Sequence, residues 1–175
     1  CVPSGGRLLP CFFANPHTGA GTYRKVGRTF YGLKFAPIVH GIPLMDERHF
    51  PFLELAEKFD HSTYLHCLPI NGFDVPDLVR LAERFPYNKL ILGHAGVGNA
   101  DFRAVDLIKQ HPNIYFETSG GFSKVIEVAC QELGTHRVLF GSEYPLQHPK
   151  LELEKLKLLS LVEKALGQIM GENIA

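Results

Sequence analysis

Neither sign of charge is in excess in this sequence. Over 175 residues, 18 Lys and Arg meet 18 Asp and Glu, a formal net charge of zero with histidine neutral. A chain with no basic block lacks the electrostatic footprint of a nucleic-acid binder or of a polybasic membrane binder, so neither partner is expected. No apolar run approaches the roughly 18 residues of a membrane span. The opening CVPSGGRLLP has no charged stretch leading into an apolar one, so no secretory signal is read and the cytoplasm is the expected location. The four cysteines, Cys1, Cys11, Cys67 and Cys130, lie far apart with no C-x-x-C pair. That spacing argues against a zinc ribbon or a disulfide scaffold and leaves buried free thiols as the expectation. No G-x-G-x-x-G follows a strand candidate, because Gly93-His94-Ala95-Gly96-Val97-Gly98 has the wrong spacing, and a dinucleotide fold loses ground.

What is present is the composition of a core-forming globular chain, 45% hydrophobic and 21% charged, of a length that suits one domain over residues 1–175. Short apolar runs alternate with stretches of helical spacing. The strand candidates are Leu8 to Phe13, Phe30 to Phe35, Ser62 to Cys67, Lys89 to His94, Asn113 to Glu117 and Arg137 to Gly141. Pro10 forces the first of them to start late. Helical spacing follows at Phe52 to Phe59, Asp77 to Phe85, Ala104 to Lys109 and Val125 to Cys130, then at Leu151 to Leu159 and Leu161 to Met170. Strands alternating with helices argue for βαβ units and a parallel sheet, hence an α/β class. The polar residues that end the strands recur about every 27 residues, a minimal β/α unit. With the dinucleotide fold disfavoured, a TIM-type (β/α)8 barrel is the expected architecture. In such a barrel each βα loop brings a side chain to one face, at the C-terminal ends of the strands. A length of 175 residues supplies only about six units, so the barrel is expected to be incomplete.

Lys34, His66, His94, Glu117 and Glu143 stand at or just past the ends of successive strand candidates. Neutral imidazoles and carboxylates are natural ligands for zinc or a related divalent ion, which turns bound water into a nucleophile near neutral pH. His66 and His94, on successive strands, are the principal candidates. Glu117 and Lys34 could equally form an ion pair. His40, His49, His61, His111, His136 and His148 read as surface residues, with His17 and His148 nearer the active face. The run Leu151-Glu152-Leu153-Glu154-Lys155-Leu156-Lys157 reads as a solvated helix face.

The segments Gly32-Leu33-Lys34-Phe35-Ala36-Pro37, Tyr64-Leu65-His66, Leu90-Ile91-Leu92-Gly93-His94-Ala95-Gly96, Ile114 to Gly120 and Val138 to Pro145 resemble strands four to eight of the amidohydrolase-related family. This is the metal-dependent hydrolase branch of the amidohydrolase superfamily, which also holds decarboxylases on a (β/α)8 barrel. The resemblance implies a divalent metal, zinc or manganese, bound by His66 and Glu143. It implies His94 as the histidine that activates water or contacts substrate, with Glu143 able to act as base, and Lys34 orients an anionic group. Two departures stand out. Glu143 replaces the family's aspartate, and no H-x-H pair of the first strand occurs. The chain is therefore expected to lack the first two strands, and a dozen residues from Gly19 to Phe30 must make the crossover into the Gly32 strand. The expected activity is hydrolysis of a C–N or C–O bond of a small carboxylate-bearing substrate. Non-oxidative decarboxylation on the same site, or a degenerate homologue or fragment without catalysis, are the alternatives. Open parallel edges imply a homo-oligomer.

Overall fold

The computed structural model describes Gly5 and residues 8–98 and 100–174. Six parallel strands, β1 (Cys11–Phe13), β2 (Gly32–Phe35), β3 (Ser62–Leu65), β4 (Leu90–Leu92), β5 (Ile114–Glu117) and β6 (Val138–Leu139), lie side by side in chain order. Between and after them run α1 (Gly21–Val26), α2 (Pro37–His40), α3 (Phe50–Phe59), α4 (Val75–Arg84), α5 (Phe102–Ile108), α6 (Ser123–Leu133), α7 (Pro149–Lys157) and α8 (Glu163–Gly167). This is the α/β architecture that the alternation predicts, with six strands where a closed barrel has eight. The short crossover between β1 and β2 is made by α1 between two 3-10 turns, Pro16–Thr18 and Gly27–Thr29. β1 begins directly after Pro10, as the missing N–H of proline requires.

Local chemistry sets the helix ends. Asp74 and Asp77 form a reciprocal capping box at the start of α4. α3 stops at Asp60, which takes a left-handed conformation, and α6 at Gly134, with φ 80°. The two expected C-terminal helices are shorter than their spacing suggests, and α8 widens into a π-helical turn over Gln168–Glu172.

The period of two along each strand separates the faces of the sheet. In register, Phe35, Leu65, Leu92, Phe116 and Val138 form one row facing the helices, and all are at most 1% exposed. Leu33, Leu90 and Ile114 form the row before it, equally buried. Against them pack Phe52 and Leu53 of α3, Leu78 and Leu81 of α4, Val105 and Ile108 of α5, and Val125 and Ile126 of α6. The opposite face carries Phe13, Lys34, Tyr64, Ile91 and Tyr115 in one register row, mostly half-buried.

Several expectations change. Cys67 and Cys130 are buried free thiols, but Cys11 is exposed because β1 is an edge strand; Cys1 lies outside the described residues. His49 and His61 are buried rather than on the surface. His49 packs edge-on against Phe35, ring centroids 4.7 Å apart, and His61 shares a 2.7 Å hydrogen bond with the Tyr23 hydroxyl. Among the described residues no helix is long and apolar enough to cross a membrane.

Candidate active site

The expected residues leave their strands at different heights. Lys34 lies within β2 and Glu117 ends β5, whereas His66 follows β3 by one residue, His94 follows β4 by two and Glu143 follows β6 by four. His94 and Glu143 both have positive φ, 60° and 52°, so each strand is followed by a sharp reversal that turns its side chain inward.

His94 is the meeting point. Its ring lies 4.5 Å from that of His66, centroid to centroid. Its Nδ1 is 3.1 Å from Ser119 Oγ and 3.4 Å from Glu143 Oε1, and its Nε2 is 3.5 Å from the Tyr64 hydroxyl. Beneath it sits the carboxylate of Glu117, which is 5% exposed. Its Oε2 accepts from the Tyr64 hydroxyl at 2.8 Å, the His94 backbone N–H at 2.9 Å and the Ser119 hydroxyl at 2.9 Å, while Oε1 accepts from the Ser119 N–H at 2.9 Å. Two glycines make this packing possible. A Cβ on Gly141 would overlap the Glu117 carboxylate, and one on Gly93 would overlap the Tyr64 hydroxyl.

Lys34 does not pair with Glu117. Its ammonium lies over the face of the Tyr64 ring, 3.7 Å from the centroid, and no carboxylate among the described residues reaches ion-pair distance. Burial drives its pKa down to about 8, an effect that the fields of Glu117 and Glu143 only partly oppose. His66 is pushed down to about 4, first by burial and then by His94 and Lys34, so its imidazole is neutral at physiological pH. Burial, with the charge of Glu117, holds the Tyr64 hydroxyl in its protonated form.

A cavity of about 750 Å³ runs along the inner face of the sheet. Its polar lining includes Tyr64, His94, Glu117, Ser119 and Glu143, and its apolar lining Ile91, Leu139, Ile169, Met170 and Ile174. Lys34 and His66 stand outside it, across Tyr64 and His94. The structure thus gathers His94, Glu117 and Glu143 and sets His66 against His94, with Lys34 one ring further out. His17 instead bonds the His40 carbonyl at 2.8 Å, and His148 caps α7. Among the described residues no group of three His, Cys, Asp or Glu side chains is placed to hold a metal ion. Tyr64 and Ser119 were not anticipated. Tyr64 lies two residues before His66, a spacing that puts side chains on one face of an extended chain, whereas Ser119 sits in the turn after β5, where no strand period points to it.

Residues 5–175 match the family model described as amidohydrolase. The chain belongs to the amidohydrolase family. A search of the curated proteins found no match. Among solved structures, 5-carboxyvanillate decarboxylase from Sphingomonas paucimobilis superposes with a TM-score of 0.77 at 17% identity, over 98% of this chain and 67% of that one. The 2,6-dihydroxybenzoate decarboxylase from Rhizobium gives 0.73 at 18%, over 99% and 71%. A dihydroxybenzoic acid decarboxylase from a Polaromonas species, with bound manganese and the inhibitor 2-nitroresorcinol, gives 0.67 at 20%, over 91% and 64%. At these identities the likeness speaks for the amidohydrolase fold.

Proposed function

We propose that the site belongs to an enzyme that removes a carboxyl group, without oxidation, from a small aromatic acid. The observation that carries this reading is the imidazole of His94, which lines the cavity, placed between Ser119 and Glu143 at one nitrogen and beside the neutral His66. An imidazole held in this way can carry a proton and deliver it. In the reaction the proton of the His94 imidazolium is added to the ring carbon that bears the carboxylate. The C–C bond then breaks, its electron pair restores the aromatic ring, and carbon dioxide leaves. While His94 is protonated, Glu143 Oε1 at 3.4 Å is its counter-charge. The unpaired ammonium of Lys34, one ring beyond the cavity at Tyr64, orients an anionic substrate through its positive field rather than by direct contact. The decarboxylases named above support this choice of chemistry.

Hydrolysis of a C–N or C–O bond in a substrate of the same class is the second reading. The contact of His94 with Glu143 favours it, since such a pair can also take a proton from water. A divalent metal, manganese or zinc, belongs to both readings, with His66 and Glu143 as this chain's ligands. Catalytic sites of this kind use three protein ligands, and the described residues do not assemble three. They do not make up a metal site by themselves, and no step above passes through one.

Incubation of the protein with manganese or zinc and, in turn, 2,6-dihydroxybenzoate, 5-carboxyvanillate, lactones and amides separates the readings. Carbon dioxide and a ring-protonated product support decarboxylation. Ring-opened or cleaved products without carbon dioxide select hydrolysis. No turnover by metal-loaded protein would leave a ligand-binding homologue as the surviving account.

A further inference from the structure

We infer that Glu117 is the positioning residue of this site, holding the reversed backbone at His94-Ala95 and setting which nitrogen of His94 carries the proton. The inference rests on the reading above that His94 is the acid–base group.

The backbone argument comes first. His94 and Ala95 are consecutive non-glycine residues in the left-handed region, with φ 60° and 55°. Side chains make that region unfavourable, and such a pair persists only where its surroundings over-determine it. Glu117 supplies both clamps. Its Oε2 accepts the His94 N–H at 2.9 Å, and its backbone carbonyl accepts the Ala95 N–H at 2.8 Å. One residue of β5 therefore fixes the turn that follows β4, from its side chain and its main chain together.

The proton argument follows from counting donors. Tyr64 and Ser119 each own one hydroxyl hydrogen, and both are committed to Glu117 Oε2. The Ser119 oxygen, 3.1 Å from His94 Nδ1, then has only lone pairs to offer, so Nδ1 must be the protonated nitrogen. The Tyr64 oxygen, likewise only an acceptor, is 3.5 Å from Nε2, the longer and weaker contact, and Glu143 Oε1 adds a second acceptor at Nδ1, so Nε2 is left as the exchanging nitrogen. A carboxylate at position 117 enforces this assignment because it can only accept. Gly141 and Gly93 leave room for the arrangement, since a Cβ on either would collide with it. This gives the glycines of the Leu92-Gly93-His94 and Phe140-Gly141-Ser142-Glu143 motifs a role in the chemistry.

The test is two-bond proton–nitrogen correlation on protein with ¹⁵N-labelled histidine, the His94 signals being assigned by their loss in His94→Gln. Wild-type protein should show the Nδ1–H form. Glu143 Oε1 also faces Nδ1, so the comparison is made in a Glu143→Ala background: Glu143→Ala alone should keep the Nδ1–H form, and with Glu117→Ala added the Ser119 hydroxyl is freed to donate to Nδ1 and the Nε2–H form should appear. Deuterium exchange at the His94 and Ala95 amides should also become at least tenfold faster, with the Leu65 and Leu92 amides unchanged. Glu117→Gln, which keeps an acceptor oxygen, should retain the Nδ1–H form. A folded Glu117→Ala in that background with wild-type tautomer and exchange overturns the inference. Should that variant not fold, Ser119→Ala in the Glu143→Ala background serves instead: a mixture of tautomers supports the inference and a pure Nδ1–H form overturns it. Turnover of 2,6-dihydroxybenzoate is measured separately, where Glu117→Ala should lower kcat at least tenfold and change KM little. If wild-type protein turns over none of the acids while tautomer and exchange respond as stated, the positioning stands and the reading of the reaction fails.

Discussion

Lys34 keeps an ammonium half-buried against an aromatic ring with no carboxylate beside it among the described residues, which leaves its positive field to attract an anion. With its pKa lowered to about 8, the charge is present below that pH and lost above it. Affinity for 2,6-dihydroxybenzoate, measured by titration calorimetry, should therefore fall as pH rises through about 8. Lys34→Met should weaken binding by about tenfold or more, the scale of one unit charge acting across a partly buried site. Lys34→Arg should keep its affinity above pH 8, because a guanidinium does not titrate there. His49 is a second residue whose position governs its protonation. Fully buried, it is pushed down to about 4, and the backbone of Leu44 and Pro43 offsets only part of that effect. The unfolded chain takes up the proton near 6.5, so between those values the unfolded state binds more protons and stability falls as pH falls. In His49→Leu the loss of urea resistance between about pH 7 and pH 5 should be smaller than in the wild type. Of the site residues, His66, His94 and Glu143 were legible as polar groups following apolar strands. Tyr64 and Ser119 were not, because a tyrosine in a strand and a serine in a loop are ordinary until their hydroxyls are seen to share one carboxylate.

At the scale of elements, Arg137 joins α5 to the sheet. Although 6% exposed, it donates to the carbonyls of Ile108, Lys109, His111 and Ile114 at 2.7 to 3.1 Å, taking up the C-terminal end of α5 and the start of β5. Arg137→Met would leave these acceptors unsatisfied and should lower unfolding stability by about 3 kcal/mol or more, read from urea denaturation. β6 is two residues long where the apolar run suggested five, because Arg137 closes a 3-10 turn before it and the Phe140 N–H after it donates to the Ile169 carbonyl instead of β5. Arg137 turns away to the helix end, and Gly141 yields its side of the chain to Glu117. Strand order, parallel direction and the placement of α3 to α6 were readable from periodicity, since each is a local pattern of burial. The ends of α7 and α8 were not, since the leucines that extend their spacing include the exposed Leu158 and the half-buried Leu161.

For the molecule as a whole, the two faces of the sheet are unequal. One is sealed by helices, while the other lines the cavity and carries Leu9 and Phe13 at more than half exposure. β1 and β6 are its edge strands. Parallel sheets are ordinarily covered on both sides, and open edges invite pairing. Self-association of this chain is the expected outcome, visible by light scattering as a mass above the 19.5 kDa of one copy. A stable monomer at all concentrations would contradict it.

By itself the sequence determined the alternation of strands and helices, the parallel sheet and the end of the sheet at which polar groups collect. These follow from burial patterns within a few residues along the chain. Only the tertiary structure decided which of those groups meet. Tyr64 from β3, His94 after β4, Glu117 at the end of β5, Ser119 in the turn after it and Glu143 after β6 converge through strand register and through two backbone reversals. The space they occupy exists because Gly93 and Gly141, far apart in sequence, face the same point. That coincidence in space sent Lys34 to the ring of Tyr64 and left Glu117 to hold His94.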